Sequence, residues 1–156
     1  MKNRIAFLEL ATVRSAYERD EYQAMGWIKK LYYRGVQIVL LSSEQRATEL
    51  QTWLAVKELD QYTCVYQEDL VKNRFFFFFL KRTPSNWKHY FLRSLTEDME
   101  AGRYPGVDLI LFTDRDEPTR QLVSALNDPR IIVCASLEDA AKCVDLPPEA
   151  LVTPEK

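Results

Sequence analysis

The stretch "IAFLELATVRS", Ile5 to Ser15, decides the fold. Its first half is apolar at successive positions, so a strand drawn through it needs cover on both faces, which is the condition of a strand inside a parallel sheet. At Glu9 the run meets a carboxylate, and beyond it Ala11 and Thr12 stand where the chain leaves the sheet. Working outward, the runs "RIAFLEL" (4–10), "VQIVLLS" (36–42), "YTCVYQ" (62–67), "VDLILFT" (107–113) and "RIIVCAS" (130–136) share that character.

Helical patterns separate these runs. Met25, Ile28, Leu31 and Tyr32 form a stripe that stops at Gly35; Ala47, Leu50 and Leu54 form a second; Phe91, Leu92 and Leu95 a third. A fourth helix is expected from Glu117-Pro118, where proline suits the first turn, and a short fifth from Ser136, an N-cap with Asp139 three residues on. The alternation predicts an α/β fold: a single-domain open parallel sheet of about five strands, helices on both faces, joined by right-handed crossovers. We expect one domain over 1–145 and a C-terminal tail over 146–156, "DLPPEALVTPEK" reading as its frayed end.

Size and composition are consistent with this. A chain of 156 residues, 47% hydrophobic and 28% charged, suffices for one core and not for two ordinary domains. The longest apolar runs fall far short of the ~20 residues of a membrane helix, and "MKNRIAFLEL" has no signal-peptide pattern, so the expectation is a cytoplasmic protein with no membrane partner. Cys64, Cys134 and Cys143 show no CxxC spacing and read as reduced, mostly buried thiols. With His89 the only histidine, neither a zinc site nor a cysteine nucleophile paired with a base is indicated.

The net charge of -2 conceals a basic island. Residues 70–95 hold six Lys/Arg and no Asp/Glu, whereas 96–156 hold six against thirteen. Within the island Lys72, Arg74, Lys81, Arg82, Lys88 and Arg93 surround Phe75, Phe76, Phe77, Phe78, Phe79 and Trp87. Interleaved basic and aromatic residues can grip single-stranded nucleic acid over 72–93. The favoured reading is an extra strand at 75–80 whose flanking charges guard against aggregation, with the Phe run and Trp87 as interface candidates for a protein partner or a homo-oligomer.

In open α/β sheets ligands bind at the carboxyl ends of the strands. There the sequence delivers Glu9, Ala11 and Thr12 after strand one, Ser42 and Ser43 after strand two, and Thr113, Asp114, Arg115 and Asp116 after strand four, with Lys88 at the head of the third helix. "FLELATV", "VLLSSE", Lys88 and "LFTDRDE", in that order from Arg4 to about Asp145, resemble the four motifs of the haloacid dehalogenase superfamily, in particular its capless phosphatase domains of the polynucleotide kinase kind. The family pattern is a strand followed by DxDGT, then "hhLS" with Gly and Arg, then Lys, then "hhDDRD".

The resemblance implies a Rossmann-like fold and assigns roles. In the family the first Asp attacks phosphorus, the second protonates the leaving oxygen, Ser and Lys hold phosphoryl oxygens, and the last acids hold Mg²⁺. Carried over residue by residue, Ser42 and Lys88 become phosphate-binding candidates, and Glu9 and Asp114 metal candidates. Glu9 is one methylene too long, and a misplacement of ~1 Å can cost ~100-fold. Ala11 has no proton to give, where a general acid is typically worth ~10² to 10⁴-fold. Thr12, Val13, Ser43, Glu44 and Thr113 also depart from the pattern. The implied protein has no functioning catalytic residue, Glu9 and Ala11 marking the remnant positions. It needs no cofactor, or Mg²⁺ if any phosphomonoesterase activity persists, and acts as a binding or regulatory module.

Each residue also has a plainer use. Glu9 can be a solvated strand-end carboxylate, Ser42 the cap of the next helix, and Asp114 and Asp116 partners of a helix N-terminus. For Lys88 the plainer use, a solvated helix residue, is the favoured one.

Overall fold

A computed structural model of the chain describes residues 3–68, 87–103 and 106–144. The elements run β1 (Asn3–Glu9), α1 (Leu10–Arg19), α2 (Glu21–Tyr33), β2 (Val36–Ser42), α3 (Thr48–Val56), β3 (Thr63–Tyr66), α4 (Trp87–Glu100), β4 (Val107–Thr113), α5 (Glu117–Ser124), β5 (Ile131–Cys134) and α6 (Leu137–Cys143). All strand pairs are parallel, in the order β3-β2-β1-β4-β5. The fold is α/β with one open five-stranded sheet, as the apolar runs predict. The Phe run, the extra strand expected at 75–80 and the tail at 146–156 lie outside the described residues.

Alternation along each strand divides the core into two layers. Ala6 and Leu8 of β1, Ile38 and Leu40 of β2, and Leu109 and Leu111 of β4 pack with Val13, Ala16, Ala24, Ile28, Leu31, Leu54 and Leu137 from α1, α2, α3 and α6. Phe7, Val39, Leu41, Ile110 and Phe112 point the other way, against Trp87, Leu92 and Met99 of α4 and Val123 of α5. This explains why the strand sequences are apolar at successive positions over most of their length, with Gln37 and Asp108 the exceptions near the starts of β2 and β4. Among the described residues no helix is long and apolar enough to cross a membrane.

Two helices, not one, join β1 to β2. The chain turns directly from Glu9 into α1, burying Leu10, Val13, Ala16 and Tyr17. The extended Asp20 (φ -159°) then breaks the path, and its side chain accepts from the Gln23 amide at 3.2 Å to start α2. In α2 the buried stripe is Ala24, Ile28 and Leu31, while Tyr32, placed in the stripe by the sequence pattern, is exposed. The helix stops at Gly35, whose φ of +79° is cheap only for glycine. The later caps are as expected: Asp116 accepts from the Thr119 amide at 3.1 Å and Ser136 from the Asp139 amide at 3.2 Å.

From β1 the chain steps outward through β2 to β3, then returns to the far side of β1 for β4 and β5. The strand order therefore reverses between β1 and β4, and the crevice at their carboxyl ends is the expected ligand position in such a sheet. Glu9 ends one of these strands and Asp114 follows the other.

Candidate functional site

Strand alternation gives the two carboxylates a common direction. Glu9 has the parity of Phe7, and Asp114 that of Ile110 and Phe112, so both face the α4 layer. Lys88 enters from α4, where it shares a helical stripe with Phe91 and Leu92, three and four positions on. Two contacts fix the head of that helix: the Phe91 ring packs edge-on against Phe7 with centroids 5.5 Å apart, and the Trp87 indole N–H donates to Ser43 Oγ at 3.2 Å.

The result is a buried three-residue cluster. Lys88 Nζ donates to Glu9 Oε2 at 2.9 Å and to Asp114 Oδ2 at 2.5 Å. The other oxygens are engaged too. Glu9 Oε1 accepts from Thr12 Oγ1 at 2.5 Å and from the Arg115 amide at 3.3 Å; that amide also donates to Thr12 Oγ1 at 3.1 Å. Asp114 Oδ1 accepts from the Asp116 amide at 2.8 Å. Relative exposure is 9% for Glu9, 6% for Lys88 and 0% for Asp114.

These positions overturn two of the plainer uses. Lys88 is no solvated helix residue and Glu9 no solvated strand end, because each supplies the charge that makes burial of the other tolerable. Glu9 occupies the N-cap position of α1 without capping it; its carboxylate turns to the Thr12 hydroxyl and to a backbone amide of the β4–α5 connection.

The carboxyls are pushed in opposite directions. Burial raises Glu9, but hydrogen bonds from Thr12 and Lys88 outweigh it and hold the group below its ordinary 4.5. Burial also raises Asp114, with repulsion from Glu9 added, and here Lys88 and the Asp116 amide do not compensate, so it lies above its ordinary 3.8. One ammonium cannot fully serve two buried carboxylates.

Ser42 does not join the cluster. It lies one position past Leu41, the register partner of Glu9, so alternation directs it to the opposite face. It is buried, accepts from the Glu44 amide at 3.1 Å and donates to the Glu44 carbonyl at 3.3 Å. This closes a local turn four residues before α3 and does not cap that helix. Ala11 lies in the first turn of α1 and brings no polar group. Trp87, an interface candidate from sequence, is instead a core residue with 1% exposure.

Comparison with protein-family models, curated proteins and solved structures returns no match.

A divalent cation does not fit the cluster as its side chains stand. Among the described residues no group of three or more His, Cys, Asp or Glu side chains is placed to hold a metal ion. The two carboxylates that converge each spend an oxygen on Lys88. Nor is the cluster attractive to a phosphate: with both carboxylates ionised its charge is negative despite the lysine. A nucleophilic Glu9 would have to leave Thr12, Arg115 and Lys88, all of which lower its basicity.

Sequence reasoning missed Thr12 as the hydroxyl partner of Glu9 and the Arg115 amide as a donor. A signal was present for Lys88: the stripe of Phe91 and Leu92, continued back one turn, passes through it.

Proposed function

We propose that this chain is a haloacid dehalogenase-like domain that has lost phosphoryl-transfer chemistry and serves as a binding or regulatory module through protein contacts. One observation carries the reading: at the crevice where this architecture places its chemistry, the Lys88 ammonium is clamped between Glu9 and Asp114, so the carboxylates serve as a counterion pair for a lysine. The absence of an ionisable side chain at Ala11 supports it, since no general acid stands two residues beyond Glu9. The binding role is drawn from the phenylalanine run over 75–79, with a second copy of the chain or another protein as occupant.

A phosphatase assay tests the reading. With Mg²⁺ present the protein is expected to release no phosphate above background from aryl phosphates, nucleotides or 3′-phosphorylated oligonucleotides. Turnover that disappears in Glu9→Gln would establish a phosphomonoesterase instead. Salt-sensitive retention of oligonucleotides would move the binding role to nucleic acid.

A further inference from the structure

A second cluster lies on the opposite face of the sheet, apart from the lysine. Cys134 ends β5 and is buried; Cys143 ends α6 and is half-buried; their sulfurs are 3.9 Å apart. Cys143 packs with the layer formed by α1, α2, α3 and α6, and Cys134 shares the parity of Ile132, which packs on the same layer. We propose that Cys134 and Cys143 form a peroxide-sensitive dithiol, a modification site that closes to an intramolecular disulfide linking α6 to β5.

The geometry favours this pairing over any other in the chain. A disulfide needs sulfurs about 2.05 Å apart, so the pair must close by roughly 1.9 Å, which side-chain rotation shared between the two residues can supply. Cys64 cannot compete. It sits on β3, at the other edge of the sheet, four strand steps or about 19 Å from β5.

A third residue belongs to the site. Thr113 is the register partner of Cys134 on β4, so its side chain shares the face of that cysteine. Its hydroxyl is fully buried and has no hydrogen-bond partner among the described residues. A buried hydroxyl without a partner is costly; this one makes no bond to the sulfur of its neighbour Cys134 in the reduced protein and is free to donate as the pair reacts.

The chemistry divides between the two cysteines. Hydrogen bonding from the Cys134 thiol brings Cys143 down to about 7 against the opposing effects of burial and of Asp139, while Cys134 is pushed up by the same bond and by burial. Cys143, the more exposed, is therefore the attacking sulfur. Its thiolate attacks one oxygen of a hydroperoxide; the O–O bond breaks, and the leaving oxygen takes a proton to become water or alcohol, leaving a sulfenic acid on Cys143. Cys134 sulfur then attacks Cys143 sulfur, the S–O bond breaks, and the hydroxyl leaves as water with the Cys134 proton. Two thiols lose two electrons and one peroxide gains them.

The test is stoichiometric hydrogen peroxide on the folded full-length chain, then alkylation in denaturant and mass spectrometry. The expected result is a chain alkylated at Cys64 alone, where the reduced control is alkylated at all three cysteines, with the Cys134 and Cys143 peptides linked by a bond that dithiothreitol reverses. In Cys134→Ser a dimedone adduct should appear on Cys143. Thr113→Val, of nearly the same shape, should form the disulfide several-fold more slowly. Full alkylation of Cys134 and Cys143 after peroxide, or preferential oxidation of Cys64, overturns the proposal; an unchanged rate in Thr113→Val removes the hydroxyl from it.

Discussion

Replacing Lys88 with methionine keeps an unbranched chain one atom shorter and removes the charge. Glu9 and Asp114 would then face each other, buried, without their shared counterion. Breaking a buried pair by removing one partner costs about 3 to 5 kcal/mol. A separate route gives a similar figure. The variant escapes the repulsion by protonating one carboxyl; for Glu9, with its ordinary value of 4.5, doing so at pH 7 costs about 3.4 kcal/mol at about 1.36 kcal/mol per pH unit. At pH 5 the same step costs only about 0.7 kcal/mol. The deficit of Lys88→Met should therefore shrink by roughly 1.4 kcal/mol per pH unit between pH 7 and pH 5. The intact protein should vary less over acidic pH, because its carboxyls oppose each other. Glu9 is lowered, so its contribution is present above 4.5 and lost as pH falls through its folded value. Asp114 is raised, so its contribution is present below 3.8 and lost as pH rises through its folded value. Urea denaturation at pH 7, 6 and 5 measures both proteins. Adding Glu9→Gln to Lys88→Met should recover most of the loss, since the amide still accepts from Thr12. A deficit below about 1 kcal/mol at pH 7, or one independent of pH, would mean that Lys88 is not the counterion of the two carboxylates.

Thr12→Val keeps the shape of a buried side chain but removes the donor to Glu9; a loss of about 1.5 to 3 kcal/mol at pH 7 is expected by urea denaturation, fading as pH falls below 4.5 because Glu9 is then becoming protonated. Ser136→Ala deletes the cap of α6 and should lower stability by about 1 kcal/mol, read as a melting temperature lower by about 2 to 4 °C. For the segment outside the described residues, period-two alternation puts Phe76 and Phe78 on one face; changing both to Ser should abolish self-association in sedimentation velocity with an unchanged melting temperature, whereas a large fall in that temperature would identify the face as core.

The sheet was legible because its central strands are buried on both faces and so are apolar at successive positions, as in 38–41 and 109–112. β2 and β4 match their sequence bounds, 36–42 and 107–113. The edge strands are shorter than their apolar runs, Thr63–Tyr66 and Ile131–Cys134, since a strand paired on one side loses its ladder sooner. Helix α1 was hidden because it begins on the residue after the strand. Thr12 and Val13 are poor helix formers taken alone, and the burial of Leu10, Val13, Ala16 and Tyr17 outweighs that preference.

The cluster was half legible, for a physical reason. A carboxylate at a strand end is visible in one dimension; what neutralises it is not, because Lys88 lies 79 residues from Glu9 and 26 from Asp114. Sequence order alone leaves two candidates for that charge, a divalent ion or a side chain, and they have different consequences. A divalent ion would balance two carboxylates and keep open coordination positions for a ligand. An ammonium balances one, directs its N–H groups into the carboxylates, and leaves the cluster negative. Burial is the main cause that raises the Asp114 pKa, and repulsion from Glu9 adds a smaller contribution. The lysine also cannot be removed by a chelator or exchanged for another ion. A crevice built this way is a fixed internal link between β1, β4 and α4, and a ligand entering it would have to break that link before making any bond of its own.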